Sequence, residues 1–497
     1  MLKVDRWSPS PEACPTPATL DIPRLIGGVA CFFTILGAKL WLIHYASNPT
    51  PFWDEWDVAD FMFHAYGEGR LTIRDFFQTH NEHLIVFTRL LMLLGVEISG
   101  YWDVVLEMIV NAIAHTVVIT LVVARLARVL DRQRAIFALI ICGALNALPF
   151  SWENTLWGFM TQVYLLIGFS LASLACFIGS TAWSPRWWLG TALATMSFFS
   201  GASGALTLSV VIGLFLLQIL CGRRAGLREW LGIAAHAALT IALVLSIPRI
   251  AGHEPLRAHG VVEFLSAFAG VASWPAKPPF GLLVYLPATA FSIRLIRKPP
   301  QLNDDQWFNL AVLGWITVQF VALPLGRANG APVSSRYLDT LQIGIVASLV
   351  SALSLLAARV GSISAQRAVA ASIALWFLLL TFWAGHDAYF HLRYPIEVRR
   401  QTAVTETNNV RGYLTTGDVS YLTPKPILDI PYPSAERLRG FLDDATIRSL
   451  LPPDLTLDGT REAVIESLKT GLLQLRYVLL GLGGLLFFAA VRLSRVR

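Results

Sequence analysis

The chain has 497 residues, of which 55% are hydrophobic and only 14% charged, against about 25% charged in soluble domains. With a mean hydropathy of +0.57, this composition excludes a soluble enzyme and places most of the chain in a bilayer. The formal net charge of +6 comes from Lys and Arg in short loops, a pattern of cytoplasmic anchoring that gives no reason to expect nucleic acid as a partner.

The segment from Met1 to Asp21 lacks a signal-peptide pattern. The apolar run that begins near Ile22 has no small-residue cleavage site after it, so it reads as a retained span. A helix needs about 20 apolar residues to cross a bilayer. About twelve spans are expected, at about 24–46, 102–124, 135–149, 161–180, 187–200, 204–221, 230–248, 279–295, 307–325, 338–358, 368–385 and 471–491. The fold class is therefore an all-α polytopic integral membrane protein. Residues 1–385 form the transmembrane body, with a long first external loop at 47–101. A small external region follows at 386–470, and 471–497 hold the last span and a tail.

Loop charges orient these spans. Arg125, Arg128, Arg132 and Arg134 share one loop, and Arg223, Arg224 and Arg228 another. Arg294, Arg297 and Lys298 form a third, Arg359 and Arg367 a fourth, and Arg492, Arg495 and Arg497 end the chain. All fall on one side when the N-terminus is cytoplasmic, so both termini are expected inside. The opposite side receives 47–101, 150–160, the Gly201–Gly204 turn, 249–278, 326–337 and 386–470. Cys14, Cys31, Cys142, Cys176 and Cys221 show neither a disulfide framework nor metal-type spacing. No internal repeat is evident.

The first external loop is the richest in chemistry. Pro51-Phe-Trp-Asp-Glu-Trp-Asp57 opens it, and His80-Asn-Glu-His83 follows. Ionisable groups near a bilayer are costly to desolvate and read as a functional site. Val58–Tyr66 and His83–Val96 are apolar runs shorter than a span, expected as interfacial helices. They would hold Asp54, Glu55 and Asp57 at the water–lipid boundary, with His80 and His83 on one face if that segment is helical. Two chemistries fit. A carboxylate could act as general base toward an acceptor hydroxyl. Alternatively Asp54, Glu55, His80 and His83 could bind a divalent metal ion that neutralises a phosphate leaving group. A plain interfacial loop explains one or two such residues better than six.

Further segments lie on the same expected face. Ser151-Trp-Glu-Asn-Thr-Leu-Trp-Gly-Phe159, with Gln162, offers Trp faces for sugar rings and Glu153 and Asn154 for hydroxyls; an aromatic belt is the plainer reading of Trp152 and Trp157. Arg327 and Ser334-Ser-Arg-Tyr337 place guanidinium groups where a lipid phosphate would sit. His253-Glu254 and His386-Asp387 read as isolated pairs, and His115 and His236 as satisfied core residues. Arg437–Leu451 has the spacing of one helix.

An acidic pair in the first external loop, two interfacial helices and then a His-containing motif resemble the GT-C class of membrane glycosyltransferases. The protein mannosyltransferases and aminoarabinose transferases of that class carry an Asp-Glu pair matching Asp54-Glu55, and a His-Pro motif whose place His80–His83 takes without the prolines. The chain also resembles a group of bacterial membrane proteins with Trp-Asp-x-Trp, His-Asn-Glu-His, Trp-Glu-Asn-x-x-Trp-Gly-Phe and Ser-Arg-Tyr segments, here Trp53–Trp56, His80–His83, Trp152–Phe159 and Ser335–Tyr337. The GT-C resemblance implies a polyprenyl-phosphate sugar donor, an external glycan, lipid or protein acceptor, and a bacterial inner membrane with the active face in the periplasm. In that reading Asp54 is the base, and Glu55 and Asp57 orient the acceptor or hold a metal. His80, Glu82 and His83 contact donor phosphate or metal, Arg327 or Arg336 anchors the phosphate, and Trp53, Trp56, Trp152, Glu153, Asn154, Trp157, Gln162 and Tyr337 line the substrate site. The absence of a Walker A motif and of a Rossmann-type fingerprint speaks against a cytosolic nucleotide-sugar donor. The alternatives are a transporter or flippase of lipid-linked glycan, which would place its ionisable residues near the bilayer midplane, and a non-catalytic envelope-assembly protein.

Overall fold

A computed structural model describes residues 21–297, 302–358, 362–456 and 463–495. Cys14, Lys298, Arg359 and Arg497 lie outside the described residues. Among these residues the regular structure is helical apart from one antiparallel pair of two-residue strands, Thr79–His80 and His83–Leu84. Among the described residues, nine helical segments are long and apolar enough to cross a membrane: Ile22–Ala46, Val104–Val129, Gly158–Phe177, Ala202–Leu220, Leu227–Leu245, Asp304–Arg327, Ser335–Ala357, Ile363–Thr416 and Arg476–Ser494. The chain is thus a multi-pass, all-α membrane protein.

The other three expected spans are helical but shorter. They correspond to Arg132–Ala147, Pro185–Phe198 and the pair Gly281–Val284 and Leu286–Ile296. The last is interrupted at Tyr285, and the new helix starts with Pro287 in its first turn. There a missing N–H costs nothing, because it would have no partner in the helix.

Polar residues mark the helix starts. Asp21, Asp103, Asp131 and Asn303 accept hydrogen bonds from the backbone N–H of Arg24, Leu106, Arg134 and Gln306, satisfying donors that the first turn leaves free. The first and last helices pack face to face. A Cβ on Gly37 would lie 2.9 Å from the Arg476 carbonyl oxygen, so close approach here requires glycine.

Two apolar cores result. One fills the helix bundle, from Cys31 and Val123 to Trp315 and Val346. The other joins the first polar loop to the C-terminal region, where Trp56, Phe63 and Trp102 pack with Tyr432, Leu438 and Phe441. The Trp56 and Phe441 rings stack at 5.8 Å and 8°. Residues 417–456 therefore form a cap sealed onto the loop.

Three expectations change. Asp54–Gly67 is a helix, but Met62 and Phe63 are buried in protein, so it is not an amphipathic helix with that face in lipid. Val86–Ser99 does keep an exposed apolar stripe at Leu90, Leu94 and Ile98. Helix continues through 386 as Ile363–Arg393 and then Pro395–Thr416, so no boundary falls at that position. The single helix expected over 437–451 is two, Ala435–Asp443 and Ala445–Ser449. Asp444 breaks it by turning extended and accepting the Ile447 N–H at 2.9 Å.

Candidate functional site

Trp53 precedes the acidic helix in a left-handed conformation, φ 48°, unusual for a bulky residue and found mostly where function or packing holds it. Its N–H donates to the Pro431 carbonyl at 2.8 Å, so the cap fixes the turn. The three following acids then point three ways.

Asp54 is half-buried, and its Oδ2 lies 3.6 Å from His80 Nε2. Burial pushes its carboxyl up, but the His80 contact and the nearby Arg336 and His253 outweigh it, so Asp54 titrates below the ordinary carboxylate range. Glu55 turns inward and is 1% exposed. It accepts the backbone N–H of Phe52 at 2.6 Å and of Phe159 at 3.2 Å. Burial raises it to about 7 despite those bonds. Asp57 faces the cap, accepting from the Tyr432 hydroxyl at 2.9 Å and pairing with Arg437 at 2.7 Å. Burial raises its carboxyl, against both partners. The three acids expected to act together thus have separate surroundings, and Asp54 is the one set against His80. Glu55 is a backbone brace and Asp57 a tie to the cap.

His80-Asn-Glu-His83 is a tight hairpin, with His80 and His83 as opposed strand partners and Asn81 at φ 51°. Asn tolerates that conformation well, and it overrides the helical expectation. His83 Nδ1 accepts the Ala202 N–H at 3.2 Å, and Val86 N–H donates to the Phe199 carbonyl at 3.0 Å. The Phe199–Gly204 turn therefore grips the hairpin. Burial lowers His83 to about 4, which keeps its ring neutral as an acceptor. Glu82 reaches His253 Nδ1 at 2.6 Å and Arg327 at 3.2 Å. These partners hold its carboxyl below the usual range against the opposing effect of burial.

The four residues expected to share a metal do not converge, because Glu55 and His83 are spent on backbone N–H groups. Among the described residues no three His, Cys, Asp or Glu side chains are grouped as metal ligands. The donor set does not fit a divalent ion at this place.

A cleft of about 340 Å³ opens at the start of the acidic helix, lined by Phe52, Trp53, Trp152, Trp157, Arg336 and Arg399 among others. The Trp157 indole donates to the Phe52 carbonyl at 2.9 Å, and the Arg399 guanidinium lies 3.9 Å over the Phe52 ring and pairs with Glu406 at 2.6 Å. The Arg336 guanidinium makes no hydrogen bond or ion pair among the described residues. It lies 5.4 Å from the Tyr337 ring centroid. Glu153, also lining the cleft, accepts from the Ser335 hydroxyl and from the Arg336 N–H at 3.0 Å. A carboxylate suits this helix N-terminus, and it fixes where Arg336 leaves the backbone.

Other expected substrate contacts are structural. Trp56 is fully buried and donates to the Pro51 carbonyl. Asn154 is buried and bonds the Arg336 carbonyl at 3.0 Å and Asp339 at 2.8 Å. Gln162 is buried against the Met160 sulfur, and Tyr337 backs Arg336 outside the cleft lining.

The sequence reading of His253 as part of an isolated pair gives way to its contact with Glu82, and that of His115 as a satisfied core residue to a buried group with Lys39 and Asp339. Lys39, Arg399 and Asp339 were not singled out in the sequence. Arg399 and Asp339 carry no local signal. The chain matches no protein-family model and no curated protein.

Proposed function

We propose that this chain is a membrane glycosyltransferase of the GT-C type, moving a sugar from a polyprenyl-phosphate donor to an external glycan, lipid or protein. The observation that carries this reading is the Arg336 guanidinium, without an ion-pair partner among the described residues, in an aromatic cleft and close enough to Asp54 to help keep that carboxylate ionised. Aromatic faces suit the apolar face of a sugar ring. A guanidinium without a protein counter-ion suits a phosphate, which it binds through paired donors. Arg327 already has Glu82 as its partner, so Arg336 is the better phosphate anchor of the two.

In this reading the acceptor hydroxyl oxygen forms a bond to the anomeric carbon while the carbon–oxygen bond to phosphate breaks. Asp54 takes the hydroxyl proton, and the polyprenyl phosphate leaves with its negative charge held by Arg336. One displacement with one base inverts the anomeric centre. The protein would sit in a bacterial inner membrane with both termini cytoplasmic and the cleft facing the periplasm.

A transporter of lipid-linked glycan is the second reading. Lys39, His115 and Asp339, buried on three candidate spans, favour it, because ionisable groups inside a membrane protein mark ion and proton sites. Gene deletion with envelope-glycan profiling separates the two. The transferase reading expects a glycan lacking one sugar, restored by wild type and not by a properly inserted Asp54→Asn variant. Intact lipid-linked glycan stranded on one leaflet, with rescue by Asp54→Asn, would replace it with transport.

A further inference from the structure

Beneath the cleft lies a second cluster of ionisable groups that the proposed chemistry does not use. Lys39 comes from Ile22–Ala46, His115 from Val104–Leu126 and Asp339 from Ser335–Ala357. Their exposures are 3%, 0% and 0%. At the α-helical rise of about 1.5 Å per residue, Asp339 sits about 6 Å and His115 about 17 Å below the starts of their helices. His115 Nε2 is 3.2 Å from Asp339 Oδ1, and the Lys39 ammonium donates to the Thr155 hydroxyl at 3.0 Å. Tyr164, on Thr161–Phe177, lies 5.0 Å from the His115 ring and faces Asp339.

The cluster has more hydrogen-bonding atoms than bonds. His115 Nε2 is engaged by Asp339, but His115 Nδ1 is buried with no hydrogen-bond partner among the described residues, whereas buried polar atoms of native proteins are nearly always satisfied. Each buried charge here needs its counter-charge in a low-dielectric interior. Between them stands an imidazole, the side chain whose ordinary charge change falls between pH 5 and 8. A proton on His115 would strengthen its pairing with Asp339 and be opposed by Lys39.

The cluster is wired to the cleft by one short helix, Trp152–Leu156. Trp152 and Glu153 line the cleft, and Thr155 holds Lys39. Asn154 donates to both Asp339 Oδ2 and the Arg336 carbonyl. Asn154 thus links the Asp339 carboxylate to the backbone of the residue that presents the free guanidinium.

We propose that Lys39, His115 and Asp339 form a proton-binding site inside the membrane-spanning bundle, coupled through Asn154 to anion binding at Arg336. The inference rests on Arg336 being the group that holds an anion, and it stands whether the cleft transfers or transports its ligand. Protonation of His115 adds positive charge below Arg336 and favours the anion; by linkage, a bound anion favours the proton.

The test uses the full chain in detergent and a short isoprenyl sulfate, whose headgroup does not titrate between about pH 5 and 8. Wild type binds the probe more tightly as pH falls, with up to about tenfold in Kd per pH unit where one proton is linked. His115→Gln removes the part of that slope due to the cluster, leaving what groups outside it contribute, Glu55 among them. Lys39→Met with Asp339→Asn neutralises the pair together, so it folds without an uncompensated buried charge, and its slope matches that of His115→Gln. An unchanged slope in both variants overturns the proposal. If the probe fails to bind wild type, the anion reading of Arg336 is what fails. The proton site is then judged by NMR of ring-labelled histidine. A resonance that titrates between about pH 5 and 8 and is lost in His115→Gln supports it, and a His115 that does not titrate there overturns it.

Discussion

His80 Nε2 stands 3.6 Å from Asp54 Oδ2, across the two arms of the first polar loop. The imidazole is nearly buried and has no hydrogen-bond partner of its own at that nitrogen. The contact lowers the Asp54 carboxyl, at the start of the helix that follows the cleft-lining Trp53.

Asp54→Asn should lower sugar transfer by roughly 10²–10⁴-fold, the usual contribution of a general base, with little change in thermal stability. His80→Gln should keep part of the activity and move the acid limb of the pH profile upward, because the contact that lowers the Asp54 carboxyl is lost. Both are read from initial rates with a lipid-linked sugar donor. An active Asp54→Asn would remove it from the chemistry.

Arg336→Ala should weaken binding of an isoprenyl phosphate by about 10–150-fold, equivalent to about 1.5–3 kcal/mol for one charge-assisted contact. Arg336→Lys should recover only part, since an ammonium lacks the paired donors. Arg327→Ala should instead release Glu82 and destabilise the loop. Isothermal titration and melting curves separate the two effects.

Glu55 gives the stability a pH slope. Its folded pKa of about 7 lies above the unfolded value near 4.5, so the native state binds the extra proton between those values. Stability should therefore fall as pH rises from about 4.5 to 7, and Glu55→Gln should flatten that fall. His83 acts oppositely. Its folded value of about 4 lies below the ordinary 6.5, so its contribution rises with pH between about 4 and 6.5, and His83→Gln should remove that rise. Melting temperatures across pH for the two variants check both signs.

Gly158→Ala should destabilise the site. The added methyl would lie 2.5 Å from Glu107 Oε2 and 2.9 Å from Glu55 Oε1, so the braced carboxylate or the backbone must move. The cost should be about 1–3 kcal/mol, read from thermal unfolding. An unchanged melting temperature would mean that the two glutamates can part freely.

Tyr432→Phe removes one bond to Asp57 and should loosen the cap by about 0.5–1.5 kcal/mol. Faster hydrogen exchange over 417–456, with the helix bundle unchanged, is the expected signature.

The sequence by itself determined the class of this protein. Apolar runs near the length of a bilayer must become helices, because a lipid interior leaves backbone groups no other partner. About twelve such runs were expected; nine helical segments among the described residues are long and apolar enough to span, and the shorter helices fall where the runs were short or held Pro287. It also singled out the acidic loop, since three acids beside a membrane are costly without a use. What it left open was direction. Asp54, Glu55 and Asp57 are near neighbours in the chain, yet only the cap at Pro431 and Tyr432 and the N–H groups of Phe52 and Phe159 decide which way each one points. His253 joins Glu82, and Asp339 joins His115 and Lys39, across separations that no local pattern encodes. Helix periodicity reports which residues are buried. The partner of a buried charge is set by how distant helices pack, and tertiary structure alone supplies that.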